Sequence, residues 1–297
     1  QVYGIEIHDI LARICKINLL LHHDGHTNIE GDKSCLDTEF TKERLKLGKE
    51  NFNVVVGNPP FGDTIKEGDE DQLGKSSLED FEVSAGRSQI PSEHIIVEKS
   101  IKMLKDDGLL GLVLPDGVFN NQGELSNCPL LRNYLVKQGR VLAVVSLPDY
   151  AFRKSGAQNK TSILFFKKFN YDQRTAFENA YDAQIANGAS DEQAIIAALS
   201  ANPYRVFMAE ANFIGYSSTG ALMEKNDLYR GSAGGHLDDD QSETILGEYR
   251  RFCVDPENYI PALNDCIGLD ICSVWNAHES HRLDPKYHLF KVQEEQT

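Results

Sequence analysis

The chain has 297 residues, 41% of them hydrophobic and 25% charged. That is enough apolar matter for one large domain or two modest ones, and it excludes a disordered, collagen-like or disulfide-stapled polypeptide. No stretch approaches the roughly 20 uninterrupted apolar residues of a membrane helix, and the opening QVYGIEIHD lacks the basic, apolar and small-residue order of a secretion signal. The expectation is a cytoplasmic protein with no membrane partner, and its six scattered cysteines read as free thiols. The net charge of −15 is uneven, with 21 basic and 24 acidic residues through Phe169 and 9 against 21 thereafter. Phosphate binding runs on Lys and Arg, so a nucleic-acid substrate would call for a basic partner to supply the grip.

In chain order, VYGIEIHD reads as a short strand ending in Glu6. ILARICKINLLL follows as a helix, with Ile10, Leu11, Ile14, Ile17, Leu20 and Leu21 at helical spacing. FNVVVGNPPFGD predicts a buried strand through Val54, Val55 and Val56 that Gly57 and two prolines stop abruptly. A helix over 92–105, the strand LLGLVLP, a helix over 130–137 and the strands VLAVVSLP and TSILFFKKF come next. Strands apolar on both faces, alternating with amphipathic helices, predict an α/β fold with a parallel sheet covered on both sides, whose ligands bind at the carboxyl ends of the strands. After about residue 170 the chain turns to alanine-rich helices. Ser190 to Gln193 reads as a capping box, VFMAEA as a strand, and the remainder as loops with short elements.

The sharpest chemical signal is Asn58-Pro59-Pro60-Phe61 directly after the valine strand. As a bare tetrapeptide it would be a proline turn. At the carboxyl end of an apolar strand it presents an amide side chain, a carbonyl and an aromatic face together, which suits a planar base bearing an exocyclic amine. Glu6 also ends a strand, where a carboxylate taken by itself reads as a solvated strand-end acid. His22, His23 and His26 sit at a helix end, Cys266, Cys272, His278 and His281 lack zinc-knuckle spacing, and GDEDQ reads as a solvated loop, so no metal site is expected.

Strand plus Asn58-Pro59-Pro60-Phe61 resembles the catalytic motif of the methyltransferases that act on adenine N6 in DNA. GIEIHDILARICKINLLLHH and GDKSCLD resemble two cofactor-contacting segments of the modification subunits of type I restriction systems. DDGLLGLVLPDGVFNN and GRVLAVVSLPDYAFRKSGAQNKTSILFFKK resemble their later strands, so the likeness spans about residues 2–169 in the family's order. It implies a Rossmann-like class I fold dependent on S-adenosylmethionine, with a catalytic domain over 1–169 and an acidic, helix-rich extension over 170–297. It also implies that Asn58 and Pro59 accept from the two amine hydrogens and that Phe61 stacks on a flipped base. By the same likeness Glu6 accepts from the cofactor's ribose hydroxyls, Asp32 contacts its adenine amine, and Asp116 lies near the target pocket. Double-stranded DNA would be reached through a specificity subunit or domain, with a restriction subunit as a further partner.

The family carries a strand and glycine-rich turn before the strand that ends at Glu6, and nothing here matches it. The expectation is therefore a piece of a longer protein, lacking a strand that the family places between those ending at Glu6 and Asn58. At the other end VFMAEANFIGYSSTG, KNDL and ILGEYRRF resemble the segment that follows the catalytic domain, and RLDPKYH the opening of a specificity domain. Two rivals stand beside the DNA reading. One is a methyltransferase for another planar amine or amide, such as protein glutamine, RNA adenine or cytosine N4. The other is a non-catalytic scaffold.

Overall fold

A computed structural model describes residues 2–23, 27–45, 51–153, 159–232, 236–275 and 281–295. The chain begins with β1 (Gly4–Glu6), α1 (Asp9–Leu21), β2 (Ile29–Gly31), α2 (Thr38–Leu45), β3 (Phe52–Gly57) and β4 (Thr64–Lys66). There follow α3 (Glu70–Leu73), β5 (Gln89–Pro91), α4 (Ser92–Met103), β6 (Leu104–Pro115), α5 (Gly117–Asn120), α6 (Cys128–Gln138), β7 (Gly139–Ser146) and β8 (Thr161–Lys168). The rest comprises α7 (Tyr171–Ala186), α8 (Asp191–Ala201), β9 (Arg205–Glu210), β10 (Ile214–Tyr216), β11 (Leu222–Asn226), α9 (Ile245–Val254), β12 (Cys266–Asp270), α10 (Ile271–Val274) and α11 (Pro285–Glu295). Two compact units result, one of residues 1–52 and 62–105 and the other of 53–61 and 106–297.

In the first unit β1 and β2 pair in parallel, with Gly4 opposite Ile29 and Glu6 opposite Gly31. Helix α1 lies on this pair through Ala12, its buried residue, and a Cβ at Gly31 would come within 2.8 Å of the Ala12 methyl. The predicted helix is present, but its apolar stripe is not covered: Ile10, Ile14 and Leu21 are 72%, 56% and 73% exposed. Periodicity marks the face that gains from burial, whereas burial itself needs a neighbour. β4 and β5 form an antiparallel pair, and α4 is buried along nearly its whole length.

The second unit is built on a six-stranded sheet in the order β12-β9-β7-β8-β6-β3. β7 and β9 run parallel, while β8 is antiparallel to both β6 and β7, and β12 is antiparallel to β9. The sheet is therefore mixed rather than parallel, because a strand apolar on both faces carries no mark of its direction. The expectation of a buried valine strand also needs correction. β3 is an edge strand, and Val54 and Val56 are 55% and 77% exposed.

Elsewhere the sheet is well covered. Ala143, Val145, Phe207 and Ala209 pack against Ile245 and Phe252 of α9, with Tyr249 and Tyr259 completing an aromatic cluster around Phe207. The alternating Val144, Val206 and Met208 are buried as well. Beyond residue 170, α7 and α8 pack together, each opened by a reciprocal cap. Ser190 Oγ accepts from the Gln193 amide at 3.3 Å while Gln193 Oε1 accepts from the Ser190 amide at 3.0 Å, as the sequence predicts, and Asn170 and Gln173 repeat the arrangement.

All six cysteines are free thiols. Among the described residues no helix is long and apolar enough to cross a membrane, and no group of three His, Cys, Asp or Glu side chains could hold a metal ion. His26 and His278 lie outside the described residues.

Candidate active site

In the first unit, parallel pairing brings together the two carboxylates that the sequence singles out. Glu6 ends β1 opposite Gly31, the last residue of β2, and Asp32 follows immediately. Both stand at the carboxyl ends of neighbouring parallel strands, where such sheets bind ligands. Glu6 is half-buried and its Oε1 accepts from the His8 amide at 2.9 Å, which fixes the carboxylate against its own turn. Its second oxygen has no hydrogen-bond partner among the described residues. Asp32 is exposed and held at a φ of 58°, a left-handed position that aspartate tolerates better than most residues. Two acceptor-only groups on adjacent strand ends can receive hydrogen bonds from the donors of a ligand.

In the second unit, Asn58 follows the last residue of β3. A Cβ at Gly57 would come within 3.1 Å of Leu112 Cδ2, so the strand closes tightly on β6 just before the motif. Pro59 is buried and anchors the turn, while Asn58 is exposed and its side chain has no hydrogen-bond partner among the described residues. Its amide is thus not consumed by the fold. Phe61 is half-buried and meets Phe152 edge to face, with ring centroids 5.9 Å apart at 78°. Such a contact contributes about 0.5–1.5 kcal/mol beyond area burial and orients the ring.

Asp116 follows β6, the sheet neighbour of β3. Ser162 on β8 donates to its Oδ1 at 2.6 Å, and Lys160 Nζ lies 4.0 Å from its Oδ2 while bonding Glu210 Oε1 at 2.9 Å. Burial, reinforced by Asp284 and Glu210, pushes the Asp116 carboxyl up against the opposing pull of Ser162 and Lys160. The turn after Asp116 is held from below by the fully buried Arg132, which donates to the carbonyls of Val118 at 2.8 Å and Asn121 at 3.0 Å. Sequence reasoning had named Asp116 but not Phe152, Ser162, Lys160 or Glu210. Three of these four lie in or beside the YAFRKSGAQNKTS segment, whose polar residues within a strand-rich stretch were the available signal.

The N-6 DNA Methylase family pattern matches residues 1–198. The chain belongs to that family. The match takes in Glu6, Asp32, the Asn58–Phe61 motif and Asp116, residues contributed by both units. Among individual proteins, this chain is 27% identical over 168 residues to the type I restriction enzyme EcoEI methylase subunit of Escherichia coli, covering 57% of this chain and 30% of that one. It is 29% identical over 169 residues to the MpnII methylase subunit of Mycoplasma pneumoniae, covering 56% and 30%. The chain thus spans about a third of the length of these curated relatives. The fold is that of the α/β methyltransferases. The methyltransferase subunit of a type I restriction–modification system from Streptococcus thermophilus superposes with a TM-score of 0.56 at 16% identity, over 95% of this chain and 47% of that one.

Proposed function

We propose that this N-6 DNA methylase transfers a methyl group from S-adenosylmethionine to the N6 amine of adenine in DNA, as the modification subunit of a type I-like restriction–modification system. The observation that carries the reading is Asn58, exposed and with its side chain unbonded among the described residues, at the end of β3 and followed by Pro-Pro-Phe, in a chain of this family. Glu6 and Asp32 would hold the cofactor, Glu6 through its free oxygen to the ribose hydroxyls and Asp32 to the adenine amine. When bound, S-adenosylmethionine supplies an electrophilic methyl group on a sulfonium.

The N6 lone pair of adenine is delocalised into the ring and is a poor nucleophile. Asn58 Oδ1 and the Pro59 carbonyl accept from its two hydrogens, favour a pyramidal nitrogen and so free the lone pair for attack. As its new N–C bond forms in place of the methyl–sulfur bond, the amine surrenders one proton to water. Pro59 is buried, so the position of its carbonyl is set by the fold rather than by the substrate. A base inside a duplex must first be flipped out at a cost of a few kcal/mol, and stacking on Phe61 returns about 1–3 kcal/mol. Phe152 holds the Phe61 ring on edge and limits its freedom before the base arrives. We assign Asp116, whose carboxyl is raised chiefly by burial, to the polar wall of that pocket.

A chain of net charge −15 is poorly suited to grip a duplex strongly by itself. We therefore assign the grip on DNA to a basic specificity subunit or domain. The relatives' designation as methylase subunits of type I restriction enzymes supports that division of labour, with a restriction subunit as a further partner.

The test is labelled methyl transfer by the intact protein with its partners, offered DNA, RNA and protein extract in parallel. Label recovered as N6-methyladenine from DNA is expected. Label in RNA, in N4-methylcytosine or in glutamine would move the reading to another planar amine or amide, and no transfer at all would favour a scaffold.

A further inference from the structure

We propose that Lys99 is a positioning residue for the cofactor, its buried ammonium anchoring the segment that runs from Asp32 into α2. The proposal rests on the reading of Glu6 and Asp32 given above. Lys99 projects from α4 and is only 5% exposed. It donates to Thr41 Oγ1 at 2.8 Å and to Thr38 Oγ1 at 3.3 Å. Its neighbour on the same helix, Glu98, is taken by Lys102 at 2.6 Å, and among the described residues no carboxylate comes within ion-pair distance of Lys99.

The two threonines pass this anchor into the loop. Thr41 Oγ1 donates in turn to the Asp37 carbonyl at 2.8 Å, and Asp37 Oδ1 caps α2 by accepting from the Phe40 amide at 2.9 Å. The flanks of the segment are tied down separately. The Thr38 amide donates to Ser76 Oγ at 2.8 Å, Ser34 Oγ donates to the Gln72 carbonyl, and Asp37 Oδ2 accepts from the Lys75 amide at 3.3 Å. Among the described residues Asp32 itself makes no such bond, so its place depends on how firmly residues 34–41 are held.

Electrostatics link the anchor to the cofactor carboxylates. The Cys35 thiol is raised chiefly by burial, lowered by the field of Lys99 and raised by that of Glu6, so one thiol feels both charges. Around Lys99, Cys35 and Asp37 favour the charged form, and Lys102 on its own helix and Lys42 on α2 oppose it. Burial dominates and pushes the ammonium down to about 8. A buried ammonium served by neutral acceptors is costly to the fold, and an apolar chain of similar length would fill the space without that cost. A residue that weakens its own fold beside a ligand-binding loop is the pattern expected of a functional group.

The experiment uses the intact protein, with wild type compared with Lys99→Met by calorimetry with S-adenosylmethionine, thermal unfolding and amide hydrogen exchange. The variant is expected to unfold at the same temperature or higher at about pH 7. It should bind S-adenosylmethionine at least about 10-fold more weakly and exchange the amides of residues 32–41 at least about 10-fold faster. Wild-type affinity should fall between about pH 7 and about pH 9 as Lys99 loses its proton, by more than the residual change seen in Lys99→Met, which reports the cofactor's own titration. Affinity and exchange in Lys99→Met matching wild type would overturn the positioning role while leaving the proposed function standing. A wild-type pH profile no steeper than that of the variant would overturn it too, and if the variant does not fold, a wild-type affinity flat over that range does so alone. Wild type that binds no S-adenosylmethionine at any pH would instead refute the functional reading, and this proposal with it.

Discussion

Replacing Asn58 by alanine should separate stability from activity more cleanly than any other change in the motif. The side chain is exposed and bonds nothing among the described residues, so its removal breaks no native contact. Surface substitutions of that kind change stability by no more than about 0.5 kcal/mol. In the proposed reaction, by contrast, the same amide oxygen would be one of two acceptors for the hydrogens of the attacking nitrogen. Removing one positioned polar group of this type typically costs about 2.7–4 kcal/mol of transition-state stabilisation, or about 10²–10³ in rate. Phe61 and its contact with Phe152 remain, so binding of the flipped base should suffer far less than turnover. Urea unfolding of Asn58→Ala and wild type, beside labelled methyl transfer under saturating cofactor, gives both quantities. Transfer within about threefold of wild type would refute the assigned role. A stability loss above about 2 kcal/mol would refute the claim that the fold leaves this amide free.

Two further outcomes follow from the packing of the second unit. Phe207→Ala should cost about 3–5 kcal/mol in chemical denaturation, because the ring is fully buried and lies 5.4, 5.6 and 6.1 Å from those of Tyr249, Phe252 and Tyr259. A loss below about 1 kcal/mol would mean that this cluster is not the core it forms here. Burial pushes the Glu248 carboxyl up, but the Tyr259 hydroxyl, the Ala262 amide and the Arg251 guanidinium outweigh it and hold the group below its ordinary value. A depressed folded-state pKa contributes stability above the ordinary glutamate range that is lost as pH falls through the folded value. Glu248→Gln should therefore flatten the acid limb of the stability–pH curve, and an acid limb identical to that of wild type would contradict this.

Much of the fold can be read from local pattern. The strand ending at Glu6, the helix after it, the abrupt stop of β3 before Asn58 and the reciprocal cap at Ser190 all announce themselves through spacing or turn chemistry. What pattern cannot carry is whatever depends on a distant neighbour. TSILFFKK reads the same in either direction, so its antiparallel place between β6 and β7 was not legible. The apolar faces of α1 and β3 state a preference for burial, not its fulfilment.

The candidate site shows the same division. Asn58-Pro59-Pro60-Phe61 and Glu6 are legible because their chemistry sits at strand ends in the sequence itself, whereas Asp32 is named only through the family resemblance and its strand β2 carries no mark in the pattern. Phe152, Ser162 and Lys160 meet Phe61 and Asp116 across long separations in the chain. Lys99, flanked by Glu98 and Ser100, reads as part of a solvated helix face, and only tertiary packing reveals it as buried.

The most direct test of the whole account is calorimetry of S-adenosylmethionine on the intact protein and on Glu6→Ala. Among the described residues nothing bonds the second carboxylate oxygen of Glu6 at the end of β1, the oxygen proposed above to take the cofactor's ribose hydroxyls. Binding by wild type, weakened at least about 10-fold in the variant as expected for loss of a charge-assisted acceptor pair, is the predicted result. Equal affinity in both proteins, or no binding by wild type, would contradict it.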